Sequence, residues 1–240
     1  MLEGSKLLSA LRNRDQALIE PSISECHFKS GDTIYEPGDF VHYAYFPRGA
    51  SLAVFLVSLP NGEVTETAMV GCEGAVGGIV SQGRIPAYAR SCVMHEGSFY
   101  RIASVDLERV KDESPEIRVL FARYADCMMA QVFQSVACNA SHTIEQRAAK
   151  WLCAAIDRTG EHDLSMTQEQ LASMMGIGRS YASRVVQRFK AGGLVRTRRG
   201  GLRVLDEDGL RQRACGCNEL VRHHFETVLR GVYPLSLIHI

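Results

Sequence analysis

The side chains best placed to do chemistry lie between residues 167 and 203. From Arg179 to Arg203 there are eight basic residues (Arg179, Arg184, Arg188, Lys190, Arg196, Arg198, Arg199 and Arg203) and no acidic one. Such a block can neutralise several phosphates of a nucleic acid and makes binding strongly salt-dependent. Arg179 and Arg184 have the forked guanidinium that donates two hydrogen bonds to guanine O6 and N7 in a major groove. Thr167, Gln168, Ser180, Tyr181 and Ser183 place neutral donors and acceptors beside them.

Metal chemistry is less well supported. The eight cysteines stand at 26, 72, 92, 127, 138, 153, 215 and 217, and no C-x2-C pair occurs. A reducing compartment and the lack of a small disulfide framework favour free thiols. Cys215-Gly-Cys217, with His223 and His224 close behind, is the nearest thing to a ligand cluster. Zinc motifs space their cysteines by two to four residues. These residues are therefore read as packed or solvated tail positions, and no metal ligands are assigned.

The basic block needs elements to aim it. Thr167 and Gln170 have capping-box spacing and open a helix through Leu171, Ala172 and Met175. Gly176 can take the positive φ of a tight inter-helix turn. A second helix, Gly178 to Lys190, sets Ala182, Val185, Val186 and Phe189 against the first, and the arginines fall on its opposite side. This is a helix-turn-helix pattern. Two strand-like pieces around Gly200-Gly201 then form a basic wing suited to a neighbouring phosphate backbone. A structural helical hairpin with a solvated basic face is the competing reading.

Upstream, residues from Phe28 to about Ile102 carry β signals. Gly31-Asp32, Pro37-Gly38-Asp39, Pro47-Arg48-Gly49 and Pro60-Asn61-Gly62 punctuate strand-like runs such as Val41–Phe46, Ser51–Leu59 and Glu63–Val70. An antiparallel barrel or roll is predicted. Ser114-Pro115-Glu116 then starts a long helix. Ile117, Leu120, Phe121, Tyr124, Cys127, Met128, Gln131 and Ser135 recur along it at intervals of three and four. No Asp, Glu, Lys or Arg falls between Cys127 and Ile144, a stretch too polar to cross a bilayer. Two readings of the helix stay open: a symmetric dimer seam, or a long core helix in a monomer, since no strict heptad is kept. Thr143 and Gln146 open the next helix, with Trp151 as an anchor. The fold class is α+β, with a β-roll over 1–113, a long helix over 114–140, a winged helix-turn-helix over 141–213 and a tail over 214–240. At the N-terminus, Leu7, Leu8, Leu11 and Leu18 suggest one amphipathic helix rather than a signal peptide, so a cytoplasmic location is expected.

Composition sharpens the division. The 240 residues are 46% hydrophobic and 22% charged, ordinary for a globular protein, and the formal charge is zero. Residues 1–140 hold 12 basic and 17 acidic side chains, whereas residues 141–240 hold 15 and 10. The neutrality is a cancellation between an acidic half and a basic half. No nucleophile elbow, P-loop, H-E-x-x-H or dinucleotide fingerprint occurs, so an enzyme is not expected.

A β-roll, a long helix and a winged helix-turn-helix, in that order, resemble the CRP/FNR superfamily of bacterial transcription regulators over about residues 20–213. Thr167–Val195 is the specific part. Phe28-x2-Gly31-Asp32, Gly38-Asp39 and Tyr45-Phe46-x2-Gly49 match the family's roll turns. The resemblance implies a homodimer on double-stranded DNA, RNA polymerase as a partner, and no membrane. It puts Arg179, Ser180 and Arg184 at base-reading positions, with Arg188, Arg198 and Arg199 in support. Cyclic-AMP-responsive members commonly carry Glu at the middle position, which is Ser180 here.

The same resemblance places an effector pocket at Gly71, Glu73, Gly74, Gly77, Gly78 and Arg84. Cyclic-nucleotide binders have Gly-Glu and Arg-Ser/Thr-Ala in this cassette. Here Gly78 stands for the Glu and Pro86-Ala87 for the Arg-Ser/Thr, so cyclic AMP is not expected as the effector. Only Cys26 precedes residue 70, which disfavours an FNR-like iron–sulfur cluster. His27, His42 and His95 lie in the roll, and a lone His is more often a surface or core residue than a haem ligand. The cofactor stays unassigned. A second reading is a redox- or small-ligand-sensing module that acts through protein contacts.

Overall fold

The structure, a computed structural model, describes residues 2–80 and 85–230. Arg84 and the apolar segment 234–240 lie outside the described residues. Two short helices, α1 (Lys6–Ser9) and α2 (Asn13–Ile19), stand where one amphipathic helix was predicted. The break falls at Arg12, whose backbone is extended, and Gln16 Nε2 donates to the Leu11 carbonyl at 2.8 Å.

The roll is built from β1 (Ile23–Phe28), β2 (Thr33–Tyr35), β3 (Tyr43–Pro47), β4 (Leu52–Ser58), β5 (Val64–Val70), β6 (Arg90–His95) and β7 (Gly97–Ala103). All strand pairings in it are antiparallel, in two sheets ordered β1-β7-β3 and β2-β6-β4-β5. The Asn61-Gly62 turn joins β4 to β5 as predicted. Helix α3 (Ser104–Glu113), not anticipated from sequence, closes the roll.

Strand alternation divides the roll's apolar residues between two cores. Ala53, Val70 and Val93 point between the sheets, with Tyr35, Val76 and Phe99. Their neighbours Leu52, Val54, Met69 and Met94 point outward and join the core of the C-terminal domain, with Trp151, Leu152, Met166, Leu171 and Phe189. A period of two thus makes one sheet serve two domains.

Helix α4 (Pro115–Ser141) runs for 27 residues. Ser114 caps it by accepting from the Ile117 amide, and Pro115 occupies the first helical position, as predicted. Ile117, Leu120, Phe121, Tyr124, Cys127 and Gln131 are buried. Helix α5 (Ile144–Thr159) starts with the Thr143–Gln146 capping box. Then come β8 (Asp163–Leu164), α6 (Gln168–Met175), α7 (Arg179–Ala191), β9 (Val195–Arg198), β10 (Gly201–Val204), α8 (Glu207–Arg213) and α9 (Cys217–Leu229). The wing turn is Arg199-Gly200 rather than Gly200-Gly201, because Gly201 already pairs with Arg198 in the ladder.

The 214–240 segment was expected to be a tail, and α9 corrects that. Its Val221, Phe225 and Leu229 are buried in the core that holds Phe121 and Tyr124. The Phe225 ring meets Tyr124 edge-on at 6.2 Å, and Arg123 donates to the Val228 carbonyl at 2.9 Å. An i, i+4 apolar spacing buries one face of α9 against α4.

Candidate nucleic-acid interface

The helix pair forms for the local reasons its sequence offers. Thr167 Oγ1 accepts from the Gln170 amide at 3.1 Å, and Gln170 Oε1 accepts from the Thr167 amide at 2.8 Å. Gly176 ends α6 in the left-handed region at φ 62°. A Cβ there would also meet Thr65 Oγ1 of β5 at 2.9 Å, so the turn needs glycine for both conformation and space. Ala182 has no exposed surface where α7 crosses α6, and Val185, Val186 and Phe189 fill the seam beside it.

That packing fixes what α7 shows to solvent. Arg179, Ser180, Tyr181, Arg184 and Arg188 are exposed and Ser183 is half-buried. The first turn of α7 has no acidic residue, so the positive end of the helix dipole adds to the field of Arg179. The Arg184 guanidinium lies over the Tyr181 ring at 5.0 Å, which steadies it without neutralising it. Among the described residues, no carboxylate pairs with Arg179, Arg184, Arg196 or Arg199. Thr167 is exposed and Gln168 half-buried at the start of α6.

Two predicted contacts are drawn aside. Arg188 pairs with Glu145 at 3.1 Å, and Arg198 pairs with Asp163 at 3.1 Å, where Arg203 also binds. These pairs are exposed and weak, and phosphates can compete for them.

Among the described residues, Gly71, Glu73, Gly74, Gly77 and Gly78 of the predicted effector pocket do not converge on one cavity. Glu73 Oε1 accepts from the Gly71 amide at 3.2 Å and from Arg158 Nε of α5 at 2.8 Å, with both side chains nearly buried. A Cβ on Gly74 would clash with the Tyr124 hydroxyl, so this glycine admits α4. That hydroxyl in turn accepts from the Ala75 amide at 3.0 Å. Gly77 backs onto the Tyr43 carbonyl, and Gly78 lies beside Val41. A cleft of about 160 Å³ near Lys6, Asp157, Arg222 and Phe225 is bordered by Glu73 and Arg158. Of the described cassette residues only Glu73 reaches it, and its carboxylate is already paired.

The thiols of Cys92, Cys127 and Cys153 are pushed up by burial, to about 11, 12 and 11 respectively, and stay protonated near neutrality. Three features were missed in the sequence: the Glu73–Arg158 pair, a group made by Cys138, His142, Cys215 and Cys217, and the residues that form a second apolar face on α4. On that face Met129, Val132, Phe133 and Val136 are exposed, Phe133 and Val136 at 65% each. The i, i+3, i+4, i+7 spacing of this second stripe was there to read, overshadowed by the stronger stripe facing the roll.

Residues 146–213 match the family described as the Crp-like helix-turn-helix domain. The chain is 24% identical over 189 residues to the transcriptional regulatory protein btr of Bordetella pertussis, covering 76% of this chain and 77% of that one. Its fold is that of FixK2 from Bradyrhizobium japonicum, with TM-score 0.66 and 12% identity over 80% of this chain and 98% of that one. It is also that of a crp/fnr-family transcriptional regulator from Eubacterium rectale, with TM-score 0.61 and 18% identity over 86% and 96%. The helix pair, its arginine face and the roll and long helix ahead of it therefore have one reading: residues 146–213 belong to the Crp-like helix-turn-helix family, and the chain is a DNA-binding transcription regulator of the CRP/FNR type.

Proposed function

We propose that the protein binds double-stranded DNA as a homodimer, with α7 of each protomer in a major groove and half-sites about one helical turn apart. Arg179, Ser180 and Arg184 read base edges. Thr167, Gln168, Tyr181, Ser183, Arg188, Arg198 and Arg199 hold the phosphate backbone and set the register. The observation that carries this reading is the acid-free outer face of α7, with Arg184 braced on Tyr181. The exposed stripe Met129–Val132–Phe133–Val136 supports the dimer, because four apolar side chains at helical spacing match what a partner helix covers.

The location is cytoplasmic, and RNA polymerase is the expected protein partner. The effector is not cyclic AMP: Gly78 and Pro86-Ala87 lack the charged pair that grips a cyclic phosphate, and Glu73 is committed to Arg158. A redox reading built on Cys92, Cys127 or Cys153 lacks a reactive thiolate, since burial keeps all three protonated.

The test is footprinting of the purified protein on its own upstream DNA, followed by affinity measurements with Arg184→Ala. Loss of a bidentate base contact is expected to weaken operator binding by about 1–3 kcal/mol and to relax preference at one base pair per half-site. Arg196→Ala, a control on the wing, should weaken all sequences alike and reduce the salt slope by about one. Unchanged affinity and preference in Arg184→Ala would overturn the assignment.

A further inference from the structure

Cys138 and His142 lie one turn apart at the end of α4, His142 being its C-cap residue. Cys215 lies in the loop between α8 and α9, and Cys217, two residues on past Gly216, opens α9. The fold brings the two pairs together: Cys138 Sγ lies 3.5 Å from Cys215 Sγ, and Cys217 Sγ lies 3.6 Å from His142 Nδ1. All four ligand atoms fall within 4.8 Å of one another. The three cysteines are buried and form a small cluster apart from the main cores. His223 and His224, the neighbours singled out in the sequence, are not part of the group.

We infer that Cys138, His142, Cys215 and Cys217 form a Cys3His site for a single tetrahedral divalent ion of the zinc class. Zinc binds thiolate sulfur at about 2.3 Å and imidazole nitrogen at about 2.0–2.1 Å, which puts neighbouring ligand atoms about 3.5–3.8 Å apart. The Cys138–Cys215 and Cys217–His142 pairs already have about that separation. Three soft thiolates and one imidazole select zinc over magnesium or calcium. An iron–sulfur cluster distributes its ligands over several irons, whereas these four atoms all lie within 4.8 Å of one another.

The surroundings suit a thiolate set. The Cys217 amide donates to the Cys215 sulfur, and Gln134 Nε2 donates to the Cys217 sulfur at 3.2 Å. Such bonds orient ligands from outside the coordination shell. The Arg147 guanidinium, largely buried, lies within electrostatic reach of Cys138 and Cys215 and offsets the single negative charge that a Cys3His zinc site carries. With four protein ligands the site has no open position and is not catalytic.

Its place gives it a consequence. His142 ends α4 and Thr143 caps α5, so the ion fastens the junction between the long helix and the DNA-reading domain to the loop that leads into α9. Binding exchanges three thiol protons for the metal, with no change in oxidation state.

The test uses the full chain, purified under reducing conditions without a polyhistidine tag. About one zinc per chain is expected, and cobalt substitution should give the intense visible bands of a tetrahedral site with thiolate charge transfer. Cys138→Ser and Cys217→Ser should each lose most of the metal, whereas Cys92→Ser, outside the cluster, should keep it. The cobalt spectrum of the unaltered chain decides the matter even if a variant misfolds. An octahedral spectrum, no zinc after loading, equal loss in Cys92→Ser, or a Cys138–Cys215 disulfide in the reduced, zinc-loaded protein would each overturn the assignment.

Discussion

Glu73 and Arg158 join the two halves of the molecule through one ion pair, 2.8 Å long and nearly buried. Breaking a buried pair from one side leaves an uncompensated charge, at a cost of about 3–5 kcal/mol. Arg158→Ala should therefore lower unfolding stability by roughly that amount. The Glu73→Ala/Arg158→Ala double variant should recover part of the loss. Denaturant titration of the three variants checks both statements. The residues that could be identified in advance were those whose partners lie within one turn, such as Thr167 with Gln170, or Gly176 at the end of α6. Cys138 and Cys215 are 77 positions apart, and His142 and Cys217 are 75 apart, so no local spacing announces the cluster. Glu73 was noticed for a family cassette, yet its partner is a helix residue that no cassette includes.

Helix α4 has two apolar faces with different roles. Of the stripe predicted from sequence, Ile117 to Ser135, the part from Ile117 to Gln131 is the face buried against the roll and α9. Its length and its charge-free second half carried the further message that a second surface must be covered, and Met129, Val132, Phe133 and Val136 are that surface. Phe133→Glu should place a charge in the seam and leave the protomer fold intact, because Phe133 is largely exposed on the protomer. Light scattering should then report a monomer. Operator affinity should fall by about 100-fold or more as the second half-site is lost. A dimer that survives the substitution would place the interface elsewhere. Helix α9 was legible in principle from Val221, Phe225 and Leu229, but it lay beyond the region that the family pattern covers.

At the scale of the whole molecule, charge and packing act in opposite senses. Residues 1–140 are net acidic and residues 141–240 net basic, so the field presents the helix pair to DNA and turns the roll away. Packing, in contrast, binds the halves together, since Leu52, Val54, Met69 and Met94 of the roll sit in the core of the DNA-reading domain. The strand pattern predicted alternation, but no sequence signal told which domain the outward residues would meet.

That shared core makes the joint between roll and reader a thermal element. Lifting α6 away from β5 would bring Met69 and its neighbours into water, and exposed apolar surface raises the heat capacity. Calorimetry of operator binding at several temperatures would register such a movement. Trimming Met69 to Ala should then shift the heat-capacity change of binding in the negative direction, because less apolar surface is uncovered. An unshifted value would mean that the reader stays docked on DNA. Since apolar burial weakens on cooling, the same joint loosens in the cold, and a fall in temperature works in the same direction as any ligand that parts the two domains.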